Sequence, residues 1–146
     1  MGVFMDDQEL LSYIYQNADM GVGGILQVLE KAEGESFRSA LQNQLGCYDR
    51  IRSEAVQLLR KRGSEPHAPA LFKEAMARVT AATKTLRDSS PPAVAGMMIR
   101  GNAMGLHKMA QRLSEYEGQD SEVKKLAGEL IAAQQQGIEQ MKGFLS

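Results

Sequence analysis

From residue 6 to residue 144 the apolar side chains return every third or fourth position, with no sustained alternation of period two. The clearest run is Phe37, Leu41, Gln44, Tyr48, Ile51, Ala55 and Leu58, which falls on one side of an α-helix. Helix formers fill the intervening positions, and β-branched residues are few and scattered. Stripes of this kind bury themselves against other helices, so the spacing predicts an all-α chain.

Local signals divide the chain into predicted helices over about 6–33, 36–62, 70–87, 91–117 and 120–144. Asp6 and Glu9 have the spacing of a reciprocal N-terminal cap. The inner stripe of the first helix is Leu11, Ile14, Ala18, Gly21, Ile25 and Val28, and Gly34 is expected to terminate that helix. Arg60, Lys61 and Arg62 suit the negative end of the second helix, Gly63 ends it, and all three cations are expected to be solvated. Two prolines make Ser64–Pro69 a loop. The third helix should turn Leu71, Ala75, Val79, Ala82 and Leu86 inward. Ser90 is a candidate cap and Pro91 fits a first helical position. The fourth helix places Ala95, Met98, Asn102, Leu106 (or Gly105), Met109 and Leu113 on one side and stops at Gly118. The fifth places Val123, Leu126, Leu130, Gln134, Gly137, Met141 and Phe144 inward.

Four of these helices run to roughly 25 residues, about 38 Å at 1.5 Å per residue. Tight links join the first to the second and the fourth to the fifth, giving two long antiparallel hairpins with the short helix in their connection. Two such hairpins bury each other best as an antiparallel four-helix bundle, a single domain over 1–146. Asn17-Ala18-Asp19-Met20-Gly21 parallels Asn102-Ala103-Met104-Gly105 with one residue dropped, and Asn43-Gln44-Leu45-Gly46 parallels Gln134-Gln135-Gln136-Gly137. Duplication and chance both fit matches this short.

Composition excludes several function classes. With 17 basic and 18 acidic side chains the formal charge is −1, which gives no electrostatic reason for nucleic acid or anionic lipid. Cys47 is the only cysteine, so no internal disulfide exists, and a reducing, cytoplasmic setting is expected. No apolar run approaches the roughly 20 residues of a membrane span. The start, Met1 to Asp7, lacks the basic and apolar regions of a signal peptide, and Asp6 stands where a myristoylation motif needs Ser or Thr.

Polar residues interrupt the stripes at one height. Gln44, Asn102 and Gln134 take inward positions, with Asn102 expected opposite Gln134 and Gln44 opposite Met20. Asp19, Met20 and Gly21 then belong to the same slice, beside Cys47 and Tyr48. Buried amides are costly unless paired, so these should bond to one another or to water, with the Tyr48 hydroxyl satisfying one of them. Cys47 reads as a half-buried packing residue.

Two long hairpins around a central polar layer resemble the ferritin-like superfamily. The extra short helix resembles that of a bacterial family of uncharacterised ferritin-like four-helix-bundle proteins, a domain of unknown function. The resemblance implies where metal ligands would stand. In metal-binding members a Glu from each of two helices and Glu-x-x-His from each of the others surround the metals. Here the first Glu position is Asp19 or Met20, and the first Glu-x-x-His is Gln44-Leu45-Gly46-Cys47. The second Glu is Asn102, and the second Glu-x-x-His is Ile131-Ala132-Ala133-Gln134. Neutral amides supply neither the charge nor the affinity of that ligand set, and Glu-x-x-His occurs nowhere in the chain. No metal and no cofactor are therefore expected.

His67 lies in the Pro-rich loop. His107 is followed by Lys108-Met109 and lacks the Gly that phosphotransfer domains place there. Glycines at 21, 23, 24, 96, 101 and 105 permit close helix approach or leave a hollow near the polar layer. Met97, Met98, Met104 and Met109 read as core and subunit-interface fillers of a homodimer. The reading is a non-catalytic bundle with a degenerate metal centre, acting as a scaffold or interaction protein. The alternatives are a small-ligand or cofactor binder around Gln44, Asn102 and Gln134, and a metal-dependent redox protein using Asp19, Cys47 and Tyr48.

Overall fold

The computed structural model describes residues 5–67 and 70–146, with the side chains of 70–72 left aside. The expectations for Met1–Phe4, for the end of the Pro-rich loop and for an inward Leu71 lie outside these residues. Five helices account for the described chain: α1 (Asp7–Leu29), α2 (Glu35–Lys61), α3 (Ala70–Lys84), α4 (Pro91–Ser114) and α5 (Ser121–Lys142).

Each boundary has a local cause. Asp6 caps α1: its carboxylate accepts from the Glu9 N–H at 2.8 Å, while the Glu9 carboxylate accepts from the Asp6 N–H at 3.5 Å. The helix ends at Leu29, short of the predicted 33. There the Arg38 guanidinium donates to the carbonyls of Leu29 and Ala32, which would otherwise lack partners. Gly34, expected to close this helix, instead stands at the N-cap of α2 with φ of 92°. At the far end of α2 Gly63 does adopt the left-handed conformation, with φ of 71°. The N–H of Ser64 then reaches back to the Leu59 carbonyl at 2.9 Å, and that of Gly63 to Arg60 at 3.0 Å. Asp120 caps α5 by accepting from Glu122 and Val123.

α1 packs along α2 and α4 along α5, as hairpins; α2 then lies against α5 and α1 against α4. Contacts at the ends fix the directions. Met5, just before α1, exchanges backbone hydrogen bonds with Glu115 and Glu117 beyond α4, at 3.0 and 3.2 Å. Arg62, just after α2, reaches Asp120 at the head of α5. Phe37 near the start of α2 meets Phe144 beyond α5 edge-to-face, with ring centroids 5.0 Å apart. Neighbouring long helices are thus antiparallel, and the diagonal pairs, α1 with α5 and α2 with α4, run parallel.

In this arrangement α2 ends and α4 begins at opposite ends of the bundle, so their connection must travel its length. α3 covers that distance along α1, held by Gln27 donating to Thr80 (2.9 Å) and Lys31 donating to the Thr83 carbonyl (2.6 Å). On α3 the inward position near its end is Thr83 and not Ala82, which is exposed. The Thr83 hydroxyl donates to the Val79 carbonyl at 2.9 Å and so enters an apolar contact with its donor satisfied.

The core follows the predicted stripes most closely in α2, where every stripe residue from Phe37 to Leu58 is buried. Leu11, Ile14, Ala18, Ile25 and Val28 of α1 and Val123, Leu126, Leu130 and Met141 of α5 join them. Each large aliphatic among these contributes about 1.5–3 kcal/mol by leaving water. Of the four long helices α4 is buried least: Val94, Ala95, Asn102 and Met109 are enclosed, whereas Met98, Leu106 and Leu113 are half-exposed.

Candidate functional site

The polar residues of the stripes meet in mid-bundle, and they do so across the diagonals. The Tyr48 hydroxyl of α2 donates to Asn102 Oδ1 of α4 at 2.7 Å. Gln134 Nε2 of α5 donates to Asn17 Oδ1 of α1 at 2.8 Å, and Asn17 Nδ2 donates to the Gly105 carbonyl of α4 at 3.2 Å. Gln44 and Gln134 are buried as predicted, and so is Asn102. They do not form one ring, however. Asn102 pairs with Tyr48 and not with Gln134, because the diagonal helices run parallel at this height and bring those groups face to face. Gln44 bonds outward, its Nε2 donating to Gln140 Oε1 at 3.1 Å.

Close approach depends on two glycines. A Cβ on Gly21 would stand 3.1 Å from the Tyr48 ring, and one on Gly105 would stand 2.7 Å from Gln134 Nε2. The bare glycine on α4 is what lets the Gln134 amide lie against that helix and reach Asn17. Asn17 is the layer member the periodicity missed, since it is half-buried and one position off the Ala18 stripe. The signal that marks it is the parallel between Asn17-Ala18 and Asn102-Ala103: the two asparagines accept the two cross-diagonal hydrogen bonds.

Three other predicted members take no part in these hydrogen bonds. Asp19 is drawn to Arg52, whose Nη1 donates to it at 2.7 Å, and the same guanidinium holds Asp49 at 2.6 Å. Met20 is half-buried and has no place in the hydrogen-bonded layer. Cys47, expected half-buried, is exposed: it lies about 100° around the helix from Tyr48 and about 60° from Gln44, at the edge of the buried face. His107 is exposed, and His67 lies in the loop, where its carbonyl accepts from Gln16. Among the described residues no three His, Cys, Asp or Glu side chains gather closely enough to hold a metal ion.

Electrostatically the layer is neutral. Burial, with a smaller contribution from neighbouring Cys47, raises the Tyr48 ionisation well above the ordinary tyrosine value. Its phenol therefore stays protonated and serves as a fixed donor to Asn102. Burial likewise raises Tyr13, against the opposing influence of Arg112, which stacks 5.3 Å from the Tyr13 ring centre, and of Asn17.

The layer also contains unused capacity. Gln44 Oε1, Asn102 Nδ2 and Gln134 Oε1 are buried without a hydrogen-bond partner. One of these residues, Gln44, borders a groove of about 300 Å³ between α2 and α5, which Gln44, Cys47 and Tyr48 line from one side and Gln136, Gly137 and Gln140 from the other. No ionic side chain lines it. A second, wider depression of about 670 Å³ lies at the end of the bundle beside Asp7 and Arg62. There Arg62, expected to be solvated, contacts Asp120 and Asp7, and the Tyr116 hydroxyl donates to Asp7. This cluster joins the starts of α1 and α5 to the end of α2 and is a structural clasp. Comparison with protein-family models, curated proteins and solved structures finds no match for the chain.

Proposed function

We propose that this chain is a non-catalytic bundle on the ferritin-like plan, with a hydrogen-bonded amide layer where a di-metal centre would stand. It acts as a scaffold or interaction protein in a reducing compartment. The observation that carries this reading is the chemistry of the layer. Asn17, Gln44, Tyr48, Asn102 and Gln134 are neutral, and the nearest carboxylate of the predicted ligand set, Asp19, is committed to Arg52. Divalent iron or manganese needs anionic oxygen and imidazole ligands, and a neutral amide set offers neither. The crossover carried by α3 and the antiparallel neighbours support the architectural side of the proposal. Leu26 and Met104, 50% and 62% exposed, offer apolar surface for a protein contact, including one with a second copy.

The test is elemental analysis of untagged protein from cells grown with added iron, manganese and zinc, paired with thermal unfolding in chelator. The expected result is no stoichiometric metal and an unchanged melting temperature. Stoichiometric metal removable by chelator would overturn the proposal and direct mutagenesis to Asp19, Cys47 and Tyr48. A second reading, small-ligand binding at the layer, is favoured by the α2/α5 groove beside Gln44, whose Oε1 is unpaired.

A further inference from the structure

α1 carries different neighbours on its two sides. Its buried stripe of Leu11, Ile14, Ala18 and Ile25 faces the other long helices. Gln27, two residues beyond Ile25, lies about 200° around the helix from it. Gly23 shares that outer side with Gln27, and Gly24 stands at its edge. α3 is seated there. A Cβ on Gly23 would stand 2.6 Å from Met76 Cε and one on Gly24 3.7 Å from Val79 Cγ1, so bare backbone forms the seat. α3 is thus added outside the four-helix core and packs chiefly on α1.

The contacts that hold it are mostly polar. Across residues 73–84, Thr83 alone is buried. Gln27 Nε2 donates to the Thr80 hydroxyl, and Lys31 Nζ donates to the carbonyls of Thr83 and Lys84 at 2.6 and 3.3 Å. Lys31 therefore sets a cation on the last carbonyls of α3, the negative end of its dipole. Docking also has a cost, because Gln27 Oε1 is buried with no donor. Undocking returns that oxygen to water and removes the penalty of an unpaired acceptor. The flanking chain is tied down separately from the seat. The Ser64 N–H bonds to the Leu59 carbonyl, and Leu86, beyond α3, packs against the core. Little apolar burial and hydrogen bonds open to water are the marks of a segment that opens below the global unfolding free energy.

We propose that α3 is a strap with Lys31 as its latch. It lifts from the outer side of α1 as a unit while the four long helices stay packed, and its seating controls access to residues 23–27 of α1. The proposal goes beyond the scaffold reading and does not depend on it.

The test is native-state hydrogen exchange of the full chain, followed by ¹⁵N NMR at low urea concentrations. Once released, a helix of 15 residues is marginal in water, so its amides exchange on undocking. Amides of residues 79–84 should exchange roughly a hundredfold or more faster than those of residues 41–51 in α2, and with little dependence on urea. Lys31→Met should speed α3 exchange by about a further tenfold and leave α2 and α5 unchanged. A second readout separates undocking from fraying in place. In a Cys47→Ser background, Thr83→Cys should react with iodoacetamide roughly a hundredfold faster than Ala127→Cys, which is enclosed by the long helices. Exchange in α3 as slow as in α2 and with the same urea dependence would overturn the proposal, as would equal protection of the two thiols. Equal acceleration of all the helices by Lys31→Met would overturn it too, since Lys31 would then support the whole fold. An unchanged α3 rate in that variant would refute the latch.

Discussion

Replacing Gly105 with Ala and Gly101 with Ala makes the same chemical change four residues apart on α4, and the packing predicts opposite outcomes. In the interior of a helix, Ala is favoured over Gly by about 0.5–1 kcal/mol through lost backbone freedom in the unfolded chain. Gly101 is exposed, and a Cβ there would meet nothing within 4 Å. Gly101→Ala should therefore keep the whole gain and raise the melting temperature by about 2–4 °C. At Gly105 the new Cβ would stand 2.7 Å from Gln134 Nε2 and 3.4 Å from Asn17 Oδ1. The amide tip of a flexible side chain can ordinarily swing away at little cost. This one is 2% exposed and bonded to Asn17, so moving it breaks that bond inside the core. Overpacking costs roughly 1–3 kcal/mol, and the broken hydrogen bond about another 0.5–1.5. After subtracting the propensity gain, Gly105→Ala should destabilise by about 0.5–4 kcal/mol, centred near roughly 2, lowering the melting temperature by roughly 2–12 °C. Thermal and urea unfolding followed by far-ultraviolet circular dichroism would measure both variants under one set of conditions. If Gly105→Ala melted as high as Gly101→Ala, Gln134 would not be held against a bare helix backbone, and the account of the layer would be refuted.

Three further outcomes follow from the same contacts. Tyr48→Phe removes the donor to Asn102 Oδ1 and leaves that amide with no partner at either end, which should cost about 1–3 kcal/mol in urea unfolding; a change under a few tenths would show that the hydroxyl contributes nothing. In a spectrophotometric titration Tyr13, Tyr48 and Tyr116 should ionise late, since burial raises all three and carries Tyr116, with help from Asp7, to about 12. A tyrosine raised in the folded state stabilises the fold fully below its unfolded value near 10 and loses that contribution as pH rises through the folded value. Stability should therefore fall above about pH 10, and phenolate absorbance should grow in step with unfolding; early, non-cooperative ionisation of all four tyrosines would contradict the burial. At the acid end, burial opposes ionisation of Asp120, but the Arg62 guanidinium and the Val123 and Glu122 amides hold its carboxyl below the usual range. That contribution is present above the ordinary aspartate value and is lost as pH falls below it. Arg62→Met should lower stability at neutral pH and flatten this acid limb, whereas an acid limb identical to wild type would show the clasp to be idle.

The fold was largely legible because the stripes are long and their punctuation is strong. The α2 stripe is buried from Phe37 to Leu58, and Asp6, Gly63, Pro91 and Asp120 mark boundaries by the mechanisms their chemistry suggests. The polar layer is legible as a height and as four of its members, Gln44, Tyr48, Asn102 and Gln134, with the Tyr48 hydroxyl serving one amide, but which amide takes which partner is not. Hairpin geometry predicts which residues share a level within a hairpin, whereas the bonds formed here run between hairpins, and their pairing depends on the relative direction of diagonal helices. Asn17 was missed because a half-buried amide beside Ala18 leaves the periodicity intact. Its reach into the layer exists because Gly105, far away in sequence, has no side chain. Thr83 and Ala82 exchanged roles for a related reason: helical spacing cannot register a hydroxyl that satisfies itself on its own backbone. Cys47 stands at the edge of the α2 stripe, where helical spacing alone does not separate half-burial from exposure.

The two cross-diagonal bonds have a consequence for how this chain settles on one structure. Aliphatic stripes interlock almost equally well when one hairpin slides past the other by a helical turn, about 5.4 Å. Such a slip would part Tyr48 from Asn102 and Gln134 from Asn17, at about 1–3 kcal/mol for each buried polar group left unpaired. Apolar contacts bring the hairpins together, and the amides decide the height at which they stop, as single buried asparagines fix register in coiled coils. A chain with leucine at all four positions should bind its hairpins more tightly and align them less uniquely.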